Sequence, residues 1–139
     1  MKYAKLASLT AILAVMALSS ASAATLKVVV EGAVPGKGTL RIALFSSEQG
    51  WLKTGVRALE IKPDSAKASA LIENLEDGEY AISVIDDLDD NGRLDSNAMG
   101  IPKEPYGFSN NAKGVFGPAK WADAKFKVEG DGVVRIRLD

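Results

Sequence analysis

The chain has 139 residues, 17 basic and 18 acidic side chains, a formal charge of −1, no histidine and no cysteine. The missing residue types exclude imidazole and thiolate catalysis, disulfides, and His- or Cys-ligated zinc or copper. Any metal must be held by oxygen donors, which suits Ca²⁺ or Mg²⁺, and a weakly acidic chain offers no basic stripe to the phosphates of nucleic acid.

The first segment reads as a secretory leader. Lys2 and Lys5 precede an apolar run from Leu6 to Leu18, and Ala21-Ser22-Ala23 makes an A-x-A cleavage site. The run is shorter than the ~18–20 residues of a membrane span, and no later segment supplies one. Residues 1–23 are therefore expected to be removed and residues 24–139 to fold as one exported domain, secreted or periplasmic and monomeric. Losing Lys2 and Lys5 moves the formal charge from −1 to −3.

Beyond the leader, apolar residues recur at every second position, the signature of half-buried strands. Leu26, Val28 and Val30 form one such set, and Leu40, Ile42 and Leu44 a second. Val56 to Ile61 is a weaker candidate, and Ala68, Ala70 and Ile72 make a fourth. Tyr80, Ile82 and Val84 make a strong fifth. Ala124, Phe126 and Val128, then Val134, Ile136 and Leu138, flank Glu129-Gly130-Asp131-Gly132 and read as a closing hairpin. Short helices fit near Gln49–Thr54 and Pro118–Ala122. Trp51 and Trp121 stand near loop–strand junctions, suited to plug an end of the domain. The expected fold is all-β, a single antiparallel β-sandwich of about seven strands, Ig-like or prealbumin-like, with one long ordered loop.

That loop runs from Asp86 to about Lys120 and opens with the acidic stretch Asp86-Asp87-Leu88-Asp89-Asp90-Asn91-Gly92-Arg93-Leu94-Asp95. Asp87, Asp89 and Asn91 match positions one, three and five of a D-x-[DN]-x-[DN]-G calcium loop, with Gly92 at the sharp turn. Arg93 would give its carbonyl, Leu94 would tuck into the core, and Asp95 would ligate directly or through water. Ala98 stands where an EF-hand places its bidentate Glu, and strand rather than helix precedes the loop. The expectation is a weak, strand-flanked Ca²⁺ site, near the ~10⁻⁴–10⁻³ M range of extracellular modules. Asn97, Asp86 and Glu104 are the candidates for completing it. The competing reading is a solvated turn, because Asn91-Gly92 is also a strong hairpin signal.

Further on, Glu104, Tyr106, Phe108 and Asn110 mix aromatic, amide and acid groups as a glycan- or protein-binding surface of the cell envelope would. More often such aromatics pin a long loop to its sheet. Asp95 and Glu104 have the chemistry of an acid–base pair, but no spacing fixes their separation, and no enzyme is expected.

With these residues in hand, the chain resembles the DUF2141 family of uncharacterised bacterial exported proteins. The resemblance rests on Asn74-Leu75-Glu76-Asp77-Gly78-Glu79-Tyr80, on Asp87-x-Asp89-x-Asn91-Gly92-x-Leu94-Asp95-x-Asn97 and on Gly100-Ile101-Pro102-x-Glu104-x-Tyr106-Gly107-Phe108-Ser109-Asn110-Asn111. The Phe116-Gly117-Pro118 corner completes it. Asp86 occupies a place where the family often has histidine. The resemblance implies a prealbumin-like β-sandwich in the cell envelope or outside it, and it implies no activity.

Overall fold

The computed structural model describes residues 23–139, so the leader expected over residues 1–23 falls almost wholly outside the described residues. Among the described residues, eight strands form two sheets. They are β1 (Ala24–Glu31), β2 (Thr39–Phe45), β3 (Arg57–Ile61), β4 (Lys67–Leu75), β5 (Gly78–Asp87), β6 (Tyr106–Phe108), β7 (Phe126–Val128) and β8 (Gly132–Arg137). The smaller sheet has the order β4-β1-β8, and the larger the order β3-β2-β5-β6, with β7 also on β5. β6 pairs with Ser83–Ile85 and β7 with Gly78–Tyr80, so the two short strands share one edge of β5 end to end.

The period-two pattern works as expected, because successive strand side chains point to opposite faces. Leu26, Val28, Val30, Ile72 and Ile136 from the smaller sheet meet Leu40, Ile42, Leu44, Ile82 and Val84 from the larger in one buried core. At about 25 cal/mol per Å² of apolar surface removed from water, this cluster is the main stabilising term. A second cluster covers the outer face of the larger sheet. There Phe45, Trp51, Phe108 and Trp121 pack edge to face or tilted, with centroids 5.0–6.1 Å apart, over Ala81 and Ala124. The Trp51 indole N–H donates to the Ala119 carbonyl at 2.8 Å. Both tryptophans thus cover a sheet face.

Several expectations are corrected. There are eight strands, not seven, and one pair is parallel: β8 lies beside β1 in register Leu26↔Gly132 to Glu31↔Arg137. The closing hairpin does not exist. β7 joins β5 in the larger sheet while β8 joins β1 in the smaller, so Glu129–Asp131 carries the chain between sheets. An apolar–polar alternation fixes which face a strand buries but not which edge it joins, so the turn signal misled. Ala124 ends a one-turn helix, α1 (Trp121–Ala124), rather than starting a strand, and Glu48–Lys53 is a turn, not a helix. The long loop is shorter than expected. β5 continues to Asp87, and β6 with the 3₁₀ turn Ser109–Asn111 interrupts the remainder.

Candidate metal centre

β5 runs two residues into the acidic stretch, and its pleat sends Asp86 and Asp87 to opposite faces. Asp86 follows Ile82 and Val84 inward and is fully buried. Its Oδ2 accepts the Val34 N–H at 2.8 Å, and its Oδ1 has no hydrogen-bond partner among the described residues. Burial pushes its pKa up, the Val34 N–H opposes, and the charges of Glu104 and Asp87 add to the rise. Asp86 belongs to the core side and is not one of the converging oxygens.

Asp87 points outward yet is also fully covered, because the loop folds back over it. Its Oδ2 accepts Arg41 Nε at 2.6 Å and the Gly92 N–H at 2.8 Å, and its Oδ1 accepts the Asn91 N–H at 3.2 Å. Burial works to raise its pKa, but Arg41 and the Gly92, Asp89 and Asn91 hydrogen bonds outweigh it and hold the carboxyl below its usual range. Arg41 also pairs with Glu60.

The fold-back needs left-handed backbone at Asp90 (φ 56°) and Gly92 (φ 86°). It also needs a close floor. A Cβ on Gly38 would stand 2.2 Å from the Asp87 carbonyl oxygen and 2.6 Å from Leu88 Cα. Asp90 turns away to Thr39 Oγ1 (2.5 Å) and Lys62, which lower its pKa in that order.

Asp89, Asn91 and Asp95 form the rim. The Asn91 amide donates to both Asp95 oxygens at 2.7 Å and to Asp89 Oδ2 at 3.3 Å. A hydrogen bond shared with Asp95, then partial desolvation, pushes the Asp89 carboxyl up to about 6. The Asp95 carboxyl is lowered, by Asn91 first and Asp89 second. Arg93 exposes its side chain, with Nε 3.7 Å from Asp95.

Glu104 closes the arrangement from the far side of the loop. The Lys103 N–H donates to the Asp95 carbonyl at 2.8 Å and the Asp86 N–H to the Pro105 carbonyl at 2.9 Å, so the residue between is pinned against the acidic stretch. Glu104 is buried, and its Oε1 accepts the Leu88 N–H (2.9 Å) while Oε2 accepts the Asp95 N–H (3.0 Å). Asp87, Asp89 and Glu104 each place one carboxylate oxygen within 4.8 Å of the others. An oxygen-only cluster of this size can hold a metal ion.

The Asp87, Asp89, Asn91, Arg93 and Asp95 set expected from the calcium-loop spacing is thus divided. Asp87 and Asp89 lie in the trio, Asn91 and Asp95 adjoin it, and Arg93 hangs outside by its side chain. The third acid of the trio, Glu104, was expected only as a supplementary ligand. Its sole sequence signal is that it is the one acid between Ser96 and Lys120. Asn97 is committed elsewhere, since its Oδ1 accepts the N–H groups of Met99 and Ile101. Leu94 is half-buried on the loop rather than in the core.

Among the aromatic–amide residues, Phe108 is buried against Trp51, and half-buried Tyr106 packs on Phe108 at 5.8 Å. Asn110 adopts φ 60° and donates to the carbonyls of Asp123 (3.1 Å) and Lys125 (2.8 Å).

A family model described as "Uncharacterized protein conserved in bacteria (DUF2141)" matches residues 28–137. No curated protein and no solved structure matches the chain. Among the described residues, no helix is long and apolar enough to cross a membrane.

Proposed function

The chain belongs to the DUF2141 family of uncharacterised bacterial proteins, and we propose that it is an exported, non-enzymatic β-sandwich module whose acidic loop binds Ca²⁺ weakly and thereby orders the long connection behind it. The observation that carries this reading is the convergence of Asp87, Asp89 and Glu104 to within 4.8 Å. Three carboxylates that close repel unless protonated or shared with a cation. Arg41 answers only Asp87 among them.

Donor chemistry favours Ca²⁺. Each Glu104 oxygen accepts one N–H and retains a lone pair, so the group can ligate through both oxygens. It would then do the work of the missing bidentate acid. Asn91 and Asp95, already at the rim, would complete a flexible set of six to eight oxygens, which Ca²⁺ accepts more readily than Mg²⁺. The absence of histidine and cysteine leaves no imidazole or thiolate to compete for the ion. Export rests on the leader-like first 23 residues.

Binding to the folded state alone stabilises it by mass action. At free Ca²⁺ ten times Kd the gain is about 1.4 kcal/mol, a melting shift of several degrees at this size. Thermal melts in millimolar Ca²⁺ and in chelator should differ by that much for the wild type and coincide for Asp89→Asn, which changes an exposed side chain and keeps an oxygen acceptor for the Asn91 N–H. Coincident wild-type curves across the millimolar range would remove the reading.

A further inference from the structure

We propose that the outer rim of the long connection, between Leu94 and Lys120, docks on an anionic lipid surface. Met99 (83% exposed), Ile101 (54%), Val115 (84%) and Phe116 (107%) leave four large apolar side chains in water. They are not scattered. Met99, Ile101 and Phe116 line one groove together with Leu94, Pro102 and Pro118, and Val115 adjoins Phe116 in the chain. A contiguous apolar patch of this kind marks an interaction site more often than chance exposure does.

The backbone holds these side chains outward. Phe116 sits at φ 59°, a left-handed conformation that a bulky residue adopts only at a cost. The Asn97 side chain and Gly100 (φ 78°) fix the turn that carries Met99 and Ile101.

Charge identifies the occupant. From Ser96 to Lys120 the exposed charges are Lys103, Lys113 and Lys120, and the one acid, Glu104, is buried. Over residues 23–139 as a whole, by contrast, acids outnumber bases by three. Lys113 pairs with Asp139 at 2.6 Å, whereas Lys103 and Lys120 form no ion pair among the described residues. Asp95, between the groove-lining Leu94 and Ser96 in the chain, is held by Asn91 on the loop side. Lys103 directly follows the groove-lining Pro102 and Lys120 lies two residues past Pro118, so unpaired lysines flank the apolar tip along the chain. That combination suits a bilayer interface, where the apolar side chains enter the acyl boundary and the ammonium groups meet headgroup phosphates. This surface uses none of the converging carboxylates, although it lies on the connection that Ca²⁺ is proposed to order, so the two readings are tested in separate arms.

The test is co-sedimentation of the protein with vesicles of phosphatidylcholine containing about a third phosphatidylglycerol, against phosphatidylcholine alone, in chelator and in millimolar Ca²⁺. Binding to the anionic vesicles is expected to exceed binding to the neutral ones, and to fall about fivefold for each of Lys103→Gln and Lys120→Gln. Phe116→Ser should weaken it by on the order of tenfold or more while the melting temperature stays unchanged, since the ring packs on nothing. No vesicle binding in either buffer, or Phe116→Ser binding as the wild type does, overturns the proposal. A dimer in light scattering that Phe116→Ser dissolves, with no lipid binding, would instead assign the face to a second copy. Vesicle binding with a Ca²⁺-insensitive melt would remove the metal reading and leave this one standing.

Discussion

Glu104 Oε2 accepts the backbone N–H of Asp95 at 3.0 Å, while its Oε1 takes the N–H of Leu88. One buried carboxylate thus ties together the beginning and the end of the acidic loop before any ion is considered. Hydrogen bonds to a charged acceptor contribute about 1.5–3 kcal/mol each, and leaving the partner unpaired adds a desolvation cost. Removing this side chain strands two N–H groups.

Glu104→Ala is expected to destabilise the domain by about 2–4 kcal/mol and to abolish the Ca²⁺-dependent melting shift. Glu104→Gln keeps one carbonyl acceptor, so it should retain more of the stability yet still lose the Ca²⁺ response. Urea denaturation with and without Ca²⁺ separates these effects. An Ala variant as stable as wild type would show that the staple is decorative.

The Asp89 carboxyl, raised to about 6 in the folded state from about 3.9 unfolded, gives the site a definite pH signature. Without metal, the native state binds this proton more readily than the unfolded chain does. Its contribution to stability is therefore complete below about pH 4 and is lost as pH rises through about 6. Ca²⁺ competes with the same proton, so Ca²⁺ affinity should weaken as pH falls below about 6, by at most about tenfold per pH unit for one proton. Calorimetric titrations over that range should show the fall in wild type. A flat profile would mean that Asp89 is not a ligand.

Gly36 and Gly38 sharpen the dependence of the loop on its floor. Both have positive φ, 69° and 65°, but a Cβ at Gly36 meets nothing within 4 Å, whereas at Gly38 it would overlap the Asp87 carbonyl. Gly36→Ala should cost about 1 kcal/mol, the conformational term alone. Gly38→Ala should cost about 2 kcal/mol or more and should also weaken Ca²⁺ binding, because Asp87 must move. Comparing the two melts with and without Ca²⁺ checks both statements.

Ser109 is buried with its hydroxyl accepting the Ile82 N–H (2.9 Å) and donating to the Ala124 carbonyl (2.6 Å). It joins β5, the 3₁₀ turn and α1 on the outer face. Ser109→Ala should cost about 2–3 kcal/mol, on the order of 10 °C in melting temperature, and leave Ca²⁺ affinity unchanged. A loss of Ca²⁺ binding there would mean that this turn and the acidic loop are coupled.

The amino-acid sequence by itself determined which residues face inward. The alternation of Leu26, Val28 and Val30, or of Ile82 and Val84, is a property of neighbouring pleats and survives into the core unchanged. It also determined the local curl at Asp87, Asp89, Asn91 and Gly92, since spacing and a glycine are short-range facts. Tertiary structure alone decided the rest. Every strand edge presents the same N–H and C=O groups, so nothing in Val134–Ile136 announces a parallel partner in β1. Nor does the character of Glu104 reveal that Lys103 and Pro105 are anchored to Asp95 and Asp86. Ligand sets closed by a distant residue depend on chain paths through space, and those paths are set by burial across the whole domain.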